Sequence, residues 1–295
     1  MHHGVKRGLL EGMDFLTIGH VTLDKRNSHY TPGGTVTFAA LTAQKLGYRA
    51  AILTRAGEDY PFAQALPEIT VHRLPSPVTT TFRNIYLNGH RIQYVDAVAD
   101  PIPVEALPPG WEKAPMVLLG AVAAEIDPRF AEKFSNALLG VVPQGWGRRW
   151  DKNGRVYPRP WEEAEQVRPY TDLLVFSSED FGGDPEIHRQ LIQMFPLVVI
   201  TLSRQGCIVY QNGTATPVPP RPAHEVDPTG AGDVFTAAML IRLHETGDPL
   251  QAAYFANIVA SFAVEDIGPR GIPTRDVVLS YMEEHPWSPT EVPAL

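Results

Sequence analysis

One short segment of the sequence combines a glycine-rich turn with a carboxylate at the start of a helix. The segment is Val226-Asp227-Pro228-Thr229-Gly230-Ala231-Gly232-Asp233-Val234-Phe235, and apolar residues at helical spacing follow it. Glycines permit a tight turn, and the unpaired N–H groups at a helix N-terminus bind anions. Asp233, in the first turn of this helix, would then lie beside the bound anion as a base.

These two features suit phosphoryl transfer. That reaction needs donors for the charge on the moving phosphate, and a carboxylate that accepts the proton of the attacking hydroxyl. Asp is also a common residue at helix starts, and isolated glycine-rich turns are frequent. The residues alone therefore leave a plain helix cap and a catalytic base equally open for Asp233.

The segment Asp227–Asp233 resembles the C-terminal signature of the ribokinase-type (PfkB) carbohydrate and nucleoside kinases. Other parts of the chain are similar to further elements of that family. They are the double glycine Gly33-Gly34, the turn Gly57-Glu58-Asp59, the segment Thr201–Gly206 and the helix Ala253–Val264. The resemblance implies a ribokinase-like α/β fold: a three-layer α/β/α sandwich with a mostly parallel central sheet and a small β lid.

By this resemblance Asp233 is the general base, and the anion hole consists of Gly230, Ala231 and Gly232. The residues implied to bind the substrate are Asp24, Gly33, Gly34 and Arg83. Those implied to line the nucleotide site are Thr201, Ser203, Gly206, Asp227, Thr229 and Asn257. The implied cofactors are ATP and Mg²⁺, and a monovalent cation would bind at the loop Asp266–Gly271. A solvated loop acid is the alternative for Asp24, and an exposed hairpin arginine is the alternative for Arg83.

Several positions depart from the family pattern. The family usually has Asn-x-x-Glu, a motif tied to magnesium and phosphate, where this chain has Ser177-Ser178-Glu179-Asp180. Asp180 or Glu179 would then hold magnesium through water, since hard cations prefer oxygen ligands. Phe38 stands where the family has Asn, and Ser203 stands where it has Gly. The loss of the Asn weakens the case for ribose or fructose as the acceptor.

Some of these departures point to one branch of the family. Ser177-Ser178-Glu179, Val226-Asp227-Pro228 and the segment Phe255–Gly268 are similar to the plant-type myo-inositol kinases. Myo-inositol is therefore the leading substrate. A nucleoside kinase, with a base pocket built from Phe38, Phe82 and Tyr86, is the alternative within the enzymes.

A non-catalytic family member that binds a nucleotide or a sugar is the alternative of another class. The altered Ser177–Asp180 segment favours it, whereas the intact Gly230–Asp233 opposes it. An NAD-dependent oxidoreductase is disfavoured, because no strand leads into a Gly-x-Gly-x-x-Gly turn with an acid about 20 residues further on.

Apolar strand-like segments alternate with helical ones, as in α/β proteins with a largely parallel sheet. The pattern predicts a first strand at 15–18, a polar loop at 19–34 and a helix at 36–46. Further strands are predicted at 50–54, 116–119, 138–142, 173–176, 198–201 and 207–211.

The segment Thr79–Val98 interrupts this alternation. Two polar, β-prone stretches flank Asn88-Gly89, and Asn-Gly is the strongest short signal for a hairpin. We interpret the segment as a lid hairpin at about 79–98 within a single kinase domain of residues 1–295, with a plain edge hairpin as the alternative. Lid hairpins can pair across a two-fold axis, so a homodimer through the lid stays open.

The bulk composition argues against several other functions. The 295 residues carry a formal net charge of -8, and no basic stripe is available for nucleic acid. No apolar run approaches the roughly 18 residues of a membrane span, and residues 1–13 lack the apolar stretch of a signal peptide. The single cysteine, Cys207, lies in an apolar run and is expected to be a buried structural thiol. We expect a cytoplasmic protein with a small-molecule substrate and neither a nucleic-acid nor a membrane partner.

Overall fold

The computed structural model of the chain describes residues 12–26, 29–87 and 90–289. Its strands are β1 (Phe15–Ile18), β2 (Thr22–Arg26), β3 (His29–Gly33), β4 (Ala50–Ala56), β5 (Thr70–Pro75), β6 (Thr80–Leu87), β7 (His90–Ala97), β8 (Met116–Gly120), β9 (Leu138–Val142), β10 (Arg148–Trp150), β11 (Val156–Pro158), β12 (Leu173–Ser177), β13 (Leu197–Thr201), β14 (Cys207–Gln211) and β15 (Thr214–Val218). Its α-helices are α1 (Thr35–Lys45), α2 (Phe62–Ala65), α3 (Phe130–Lys133), α4 (Ala164–Val167), α5 (Pro185–Met194), α6 (Ala231–Thr246), α7 (Pro249–Ala263) and α8 (Arg275–Glu284).

A nine-stranded sheet forms the centre, in the order β15-β14-β13-β12-β9-β8-β1-β4-β5. Its strands pair in parallel from β5 across to β13. The last two, β14 and β15, pair antiparallel. Parallel strands have their carboxyl ends at the same edge of a sheet, and ligands of open α/β sheets bind there. The loops that follow β1, β8, β9 and β12 therefore meet at one edge.

Helices cover both faces of this sheet. Along β8, Met116 and Leu118 enter the core shared with α1, α6 and α7. Val117 and Leu119 enter the core shared with α3, α4 and α5. This two-residue alternation is what a strand buried on both faces requires. The predicted three-layer α/β/α sandwich is confirmed. None of the helices in the described ranges is long and apolar enough to cross a membrane.

A second, four-stranded sheet has the order β3-β2-β6-β7, and we call it the small sheet. The segment 79–98, predicted as a hairpin, forms its antiparallel strands β6 and β7; the Asn88-Gly89 turn lies outside the described residues. The prediction of a loop at 19–34 was wrong, since β2 and β3 lie within it. On its inner face, Phe82 and Val95 pack against Val122 and Ala123 of the loop after β8.

The Trp- and Arg-rich segment between β9 and β12 is folded against the rest of the chain. Trp146 stacks on Trp161 with ring centroids 5.3 Å apart, and Trp161 stacks on Phe195 at 5.7 Å. The short hairpin of β10 and β11 is joined to the small sheet by a backbone bridge between Arg155 and Tyr94. This packing places the start of β10 at the carboxyl edge of the central sheet.

Candidate active site

Asp233 lies in the first turn of α6, which begins after a glycine in the left-handed conformation. Gly230 is the N-cap with φ of 79°, and no side chain caps the helix. The first N–H groups of a helix have no acceptor within it, and the helix dipole makes this end positive. A Cβ added at Gly232 would meet no atom within 4 Å. The turn therefore has the geometry of an anion site that is open on one side.

Burial raises the pKa of the Asp233 carboxyl to about 6. The Thr35 hydroxyl and the Arg148 charge act in the opposite direction and lower this pKa, whereas the nearby Asp180 and Asp24 carboxylates raise it. These four groups come from α1, β10, the turn after β12 and β2. Elements that are distant in sequence thus converge on Asp233 at the carboxyl edge of the sheet.

Asp24 lies on β2 against the double glycine that precedes α1. A Cβ added at Gly33 would lie 2.6 Å from the Asp24 Oδ2 atom. Gly34 has φ of 91°, and a Cβ there would lie 2.7 Å from the carbonyl oxygen of His20. At Gly34 the left-handed φ and the contact with backbone both favour glycine. The structure therefore brings Asp24, Gly33 and Gly34 together, on the side of the small sheet that borders Asp233.

Arg83 lies on the other face of the small sheet. Asp24 is paired with Phe82 in the register of β2 and β6, and successive residues of a strand point to opposite faces. The Arg83 guanidinium forms a salt bridge with Asp96 at 3.0 Å and lies 4.6 Å from the centroid of the Tyr94 ring. The structure does not bring Arg83 together with the other residues that the sequence assigned to the substrate.

Arg148 is a cation of this site that the sequence analysis did not single out. It begins β10, and its Nη1 donates to the carbonyl oxygen of Val122 at 3.2 Å. Its guanidinium lies 5.7 Å from the centroid of the Phe82 ring. In the sequence, only the position of Arg148 a few residues after β9 pointed to the site. The segment around it has no hydrophobic periodicity from which its place in the fold could be predicted. The positive charge that lowers the pKa of Asp233 is therefore that of Arg148, at the start of β10.

Glu125 was also missed, and it fixes the loop after β8. The residue is 2% exposed, and its carboxylate accepts hydrogen bonds from the backbone N–H groups of His20, Val122 and Ala123. Bonds of this kind to a charged acceptor are stronger than neutral ones. Glu125 thereby holds the Val122 carbonyl that accepts from Arg148. A single loop glutamate carries no sequence pattern that would reveal this.

The altered segment after β12 places its two acids differently. Asp180 Oδ2 accepts the N–H of Ser177 at 2.8 Å, and Oδ1 accepts from the Gln144 amide at 3.4 Å. Glu179 is exposed. Within the described ranges no group of three or more His, Cys, Asp or Glu side chains could hold a metal. Magnesium commonly uses one or two carboxylates, with water and substrate phosphates as its other ligands. The single carboxylate of Asp180 is therefore enough to fit a magnesium site.

Three of the predicted nucleotide-binding residues lie at the end of β13 and in the turn after it. Thr201 ends the strand, and a Cβ added at Gly206 would lie 2.3 Å from the carbonyl oxygen of Val218. Ser203 has φ of 52°, a left-handed conformation that costs a residue with a side chain about 1–2 kcal/mol. Serine therefore keeps here the backbone conformation that glycine favours.

Asn257 braces the segment that follows β15. Its Nδ2 donates to the carbonyl oxygens of Val218 at 3.0 Å and Pro219 at 3.1 Å. Its neighbour Cys207 is buried, as expected, and burial raises the pKa of the thiol to about 12. The geometry gives Asn257 a part in positioning the segment beside the nucleotide turn.

Asp227 joins the anion turn to the loop after α7. Its Oδ1 accepts the N–H of Thr229 at 3.0 Å, and its Oδ2 accepts the N–H of Gly268 at 3.3 Å. Val226, which precedes Asp227, and Ile267, which precedes Gly268, are each 52% exposed. Two exposed aliphatic side chains therefore flank the place where the two loops are joined.

The aromatic residues considered for a base pocket are already packed. Phe38 is 3% exposed and lies against Gly230, whereas Phe82 is 4% exposed and packs on Val122. The side chain of Tyr86 lies outside the described residues. Phe38 and Phe82 therefore give a nucleoside pocket no support.

The fold and the site together define the class of ribokinase-like α/β proteins. A pyrophosphate-dependent kinase in the ribokinase family, solved with a pyrophosphate analogue and myo-inositol, matches with a TM-score of 0.76 at 24% identity, over 90% of this chain and 99% of that one. Arabidopsis thaliana ribokinase, solved with ribose and ATP, matches with a TM-score of 0.71 at 19% identity, over 94% of this chain and 100% of that one. These likenesses establish the ribokinase fold.

Residues 154–275 match the pfkB family of carbohydrate kinases, and this range contains Asp180 and Asp233. This match covers 122 of the 295 residues, and it shows the likeness of that part of the chain to the family. Inositol 3-kinase of Oryza sativa subsp. japonica is 27% identical over 263 residues, which cover 83% of this chain and 65% of the rice protein. Inositol 3-kinase of Arabidopsis thaliana is 41% identical over 89 residues, which cover 30% of this chain and 25% of that protein. The chain thus spans less than two thirds of the length of these curated relatives.

Proposed function

We propose that this chain transfers the γ-phosphoryl group of ATP to a hydroxyl of a sugar or polyol, with myo-inositol as the leading acceptor. One observation carries the proposal: the Asp233 carboxyl, whose pKa is raised to about 6, lies at the uncapped start of α6. A base with a pKa near the working pH is best suited to remove a proton in the transition state. The same helix start offers N–H groups to a phosphate.

The acceptor would lie between Asp24 and Asp233. Asp24 and the backbone of Gly33–Gly34 hold its hydroxyl groups, and one hydroxyl gives its proton to the Asp233 carboxylate. The hydroxyl oxygen forms a bond to the γ-phosphorus while the bond to the β–γ bridging oxygen breaks, and the electron pair of that bond leaves on ADP. The N–H groups at the start of α6 and the Arg148 guanidinium stabilise the charge on the moving phosphoryl group.

Asp180 is the residue that fits magnesium in this arrangement. Its carboxylate acts electrostatically on Asp233, so it lies near the place of the phosphates. A bound Mg²⁺ would neutralise phosphate charge there, with water and phosphate oxygens as its other ligands. A monovalent cation at Asp266–Gly271, a homodimer through the lid hairpin at about 79–98, a single domain and a cytoplasmic location stay predictions from the sequence.

Val226 and Ile267 favour a nucleotide over pyrophosphate as the donor. Both are half exposed and lie next to the hydrogen bond that joins Asp227 to Gly268. A planar base would remove apolar surface from water at this place, whereas pyrophosphate has no apolar part. This observation supports ATP, although a kinase of similar fold is pyrophosphate-dependent.

A panel assay tests the proposal. ATP or pyrophosphate is supplied with magnesium to the chain together with myo-inositol, common ketoses and aldoses, or nucleosides, and Asp233→Asn serves as the control. We expect turnover with ATP and a polyol or sugar, and a rate about 10²–10⁴-fold lower in the control. Turnover with nucleosides alone would contradict the acceptor class, and turnover with pyrophosphate alone would contradict the donor. Binding of ATP without turnover would favour a binding-only family member.

A further inference from the structure

Thr35 carries a buried hydroxyl that has no hydrogen-bond partner. The residue is 1% exposed, and its Oγ1 makes no hydrogen bond within the described part of the chain. A buried polar group left unpaired costs about 1–3 kcal/mol. Such groups are rare in native structures and require an explanation.

The position of Thr35 at the start of α1 explains why its hydroxyl has no backbone acceptor. Other buried threonines in the helices donate to the carbonyl four residues earlier: Thr37 to Gly33, Thr42 to Phe38 and Thr236 to Gly232. Thr35 is the first residue of α1, so the residue four positions before it, Thr31, lies within β3 and is paired there with Asp24 of β2, whereas Gly33, the acceptor of Thr37, directly precedes the N-cap of the helix. The hydroxyl is thus left for another partner.

Packing limits the directions in which the Thr35 side chain can turn. A Cβ added at Gly120, the last residue of β8, would lie 2.4 Å from the Thr35 Cγ2 atom. The methyl group therefore lies directly on the backbone of β8, and the close packing of a protein interior resists its displacement. The hydroxyl lies near Asp233: it lowers the pKa of that carboxyl, yet it falls short of the geometry of a full hydrogen bond.

We propose that Thr35 is a positioning residue for Asp233. During the reaction its hydroxyl donates a hydrogen bond to one oxygen of the Asp233 carboxylate, which leaves the other oxygen to take the proton of the acceptor hydroxyl. The inference rests on the proposed function, because it assumes that Asp233 is the base. The inference gives Thr35 of α1 the role of holding the Asp233 carboxylate in one orientation, although α1 and α6 lie far apart in the sequence.

Two variants of Thr35 and one matched control separate this role from a structural one. Thr35→Val removes the hydroxyl and keeps the methyl group on Gly120, whereas Thr35→Ser keeps the hydroxyl. Thr42→Val removes another buried hydroxyl of the same helix, one that donates to a backbone carbonyl. Arg148, Asp180 and Asp24 also face Asp233, and they are the same in all three variants.

The first measurement follows the titration of Asp233 by carboxyl-carbon NMR, with Asp233→Asn to assign the signal, and it needs no substrate. We expect the titration midpoint to move to higher pH in Thr35→Val and to stay in place in Thr35→Ser and Thr42→Val. An unchanged midpoint in Thr35→Val would overturn the inference, whether or not the chain is a kinase.

The second measurement is turnover with the acceptor found in the panel. Misplacement of a reacting group commonly costs about 10- to 100-fold in rate, so we expect kcat to fall by that factor in Thr35→Val, with KM for the acceptor unchanged and the acid limb of the pH profile moved upward. Thr35→Ser should restore most of the rate. A loss that appears in KM alone would mean that Thr35 binds the acceptor, and this would overturn the positioning role. A shifted titration in a chain that never turns over would instead overturn the proposed function.

Discussion

The aromatic ring of Phe38 lies against the backbone of Gly230, with no room for a side chain between them. A Cβ added at Gly230 would lie 2.5 Å from the ring, and the residue has φ of 79°. Helices α1 and α6 therefore meet at this contact. It fixes the anion turn relative to the double glycine that begins α1, so the two halves of the proposed site are held together by packing.

This contact predicts a strong effect for a small substitution. We expect Gly230→Ala to lower the free energy of unfolding by about 2–4 kcal/mol, because the left-handed backbone and the contact with Phe38 both oppose a Cβ. Gly232→Ala, where a Cβ would meet nothing within 4 Å, should change it by less than about 1 kcal/mol. Urea unfolding of both variants measures the difference. Equal stability would show that the Phe38 ring moves aside at little cost.

The central sheet and α1 could be predicted from sequence because their signals are local. Apolar runs such as Leu197–Thr201 match the observed strands within one or two residues, and the helix predicted at 36–46 is observed at Thr35–Lys45. The small sheet could be predicted only in part. Strands β2 and β3 are short, polar and interrupted by Pro32, and β2 gains its place by pairing with β6, which lies far along the chain.

The site shows the same division between local and distant signals. The anion turn and Asp233 follow from one continuous segment of ten residues. Arg148, Glu125 and Thr35 act on that segment from separate elements, and no spacing in the sequence relates them to it. Arg83 had the residue type suited to a phosphate, but strand alternation turns it to the opposite face. Which face a strand residue occupies depends on the register, which the sequence did not specify.

The pH dependence of stability follows from the raised pKa of Asp233. The native pKa of about 6 lies above the ordinary value of 3.8, so ionisation of this group opposes folding. The cost is present above pH 6 and disappears as the pH falls through the range from 6 to 4. Asp233→Asn should therefore stabilise the fold by up to about 3 kcal/mol at pH 7.5, and by much less at pH 4.5. Denaturant unfolding at the two pH values tests this, and a gain independent of pH would contradict the assignment.

The same pKa sets the expected pH profile of catalysis. A carboxyl base must be ionised to accept a proton. The pH profile of kcat/KM should therefore have an acid limb with its midpoint near pH 6, below which kcat/KM falls about tenfold per pH unit. Asp233→Asn should lower kcat by about 10²–10⁴-fold while the fold stays intact. Steady-state kinetics between pH 5 and pH 8 measure both effects. Turnover at the wild-type rate in the variant would remove Asp233 from the mechanism.

The two faces of the small sheet give opposite predictions for two charged residues. Asp24→Asn removes a charge beside Gly33, and we expect KM for the acceptor to rise at least tenfold, since a hydrogen bond to a charged group contributes about 1.5–3 kcal/mol. Arg83→Ala breaks an exposed pair with Asp96, so KM should stay unchanged and stability should change by at most about 1 kcal/mol. A raised KM in Arg83→Ala would show that the guanidinium reaches the acceptor after all.

Arg148 provides the last prediction, because one residue links the small sheet, the loop after β8 and the base. Its guanidinium is held by the Val122 carbonyl and lies near the Phe82 ring, and its charge lowers the pKa of Asp233. Arg148→Met should therefore move the acid limb of kcat/KM to higher pH. It should also lower kcat by about 100-fold, since loss of a donor that stabilises transition-state charge commonly has this effect.

The neighbour of Arg148 on β10 is the matched control. Arg149 is exposed, and its guanidinium lies 5.7 Å from the Tyr157 ring, on the side of the strand opposite to Arg148. Arg149→Met removes the same charge from the same strand, so it should leave both kcat and the acid limb unchanged. Arg148→Lys keeps the charge but lacks the planar guanidinium. The acid limb of kcat/KM should therefore return close to its wild-type pH, whereas kcat should recover only in part. If both methionine variants lowered kcat alike, the effect would belong to the general charge of the segment, and Arg148 would have no specific part in phosphoryl transfer.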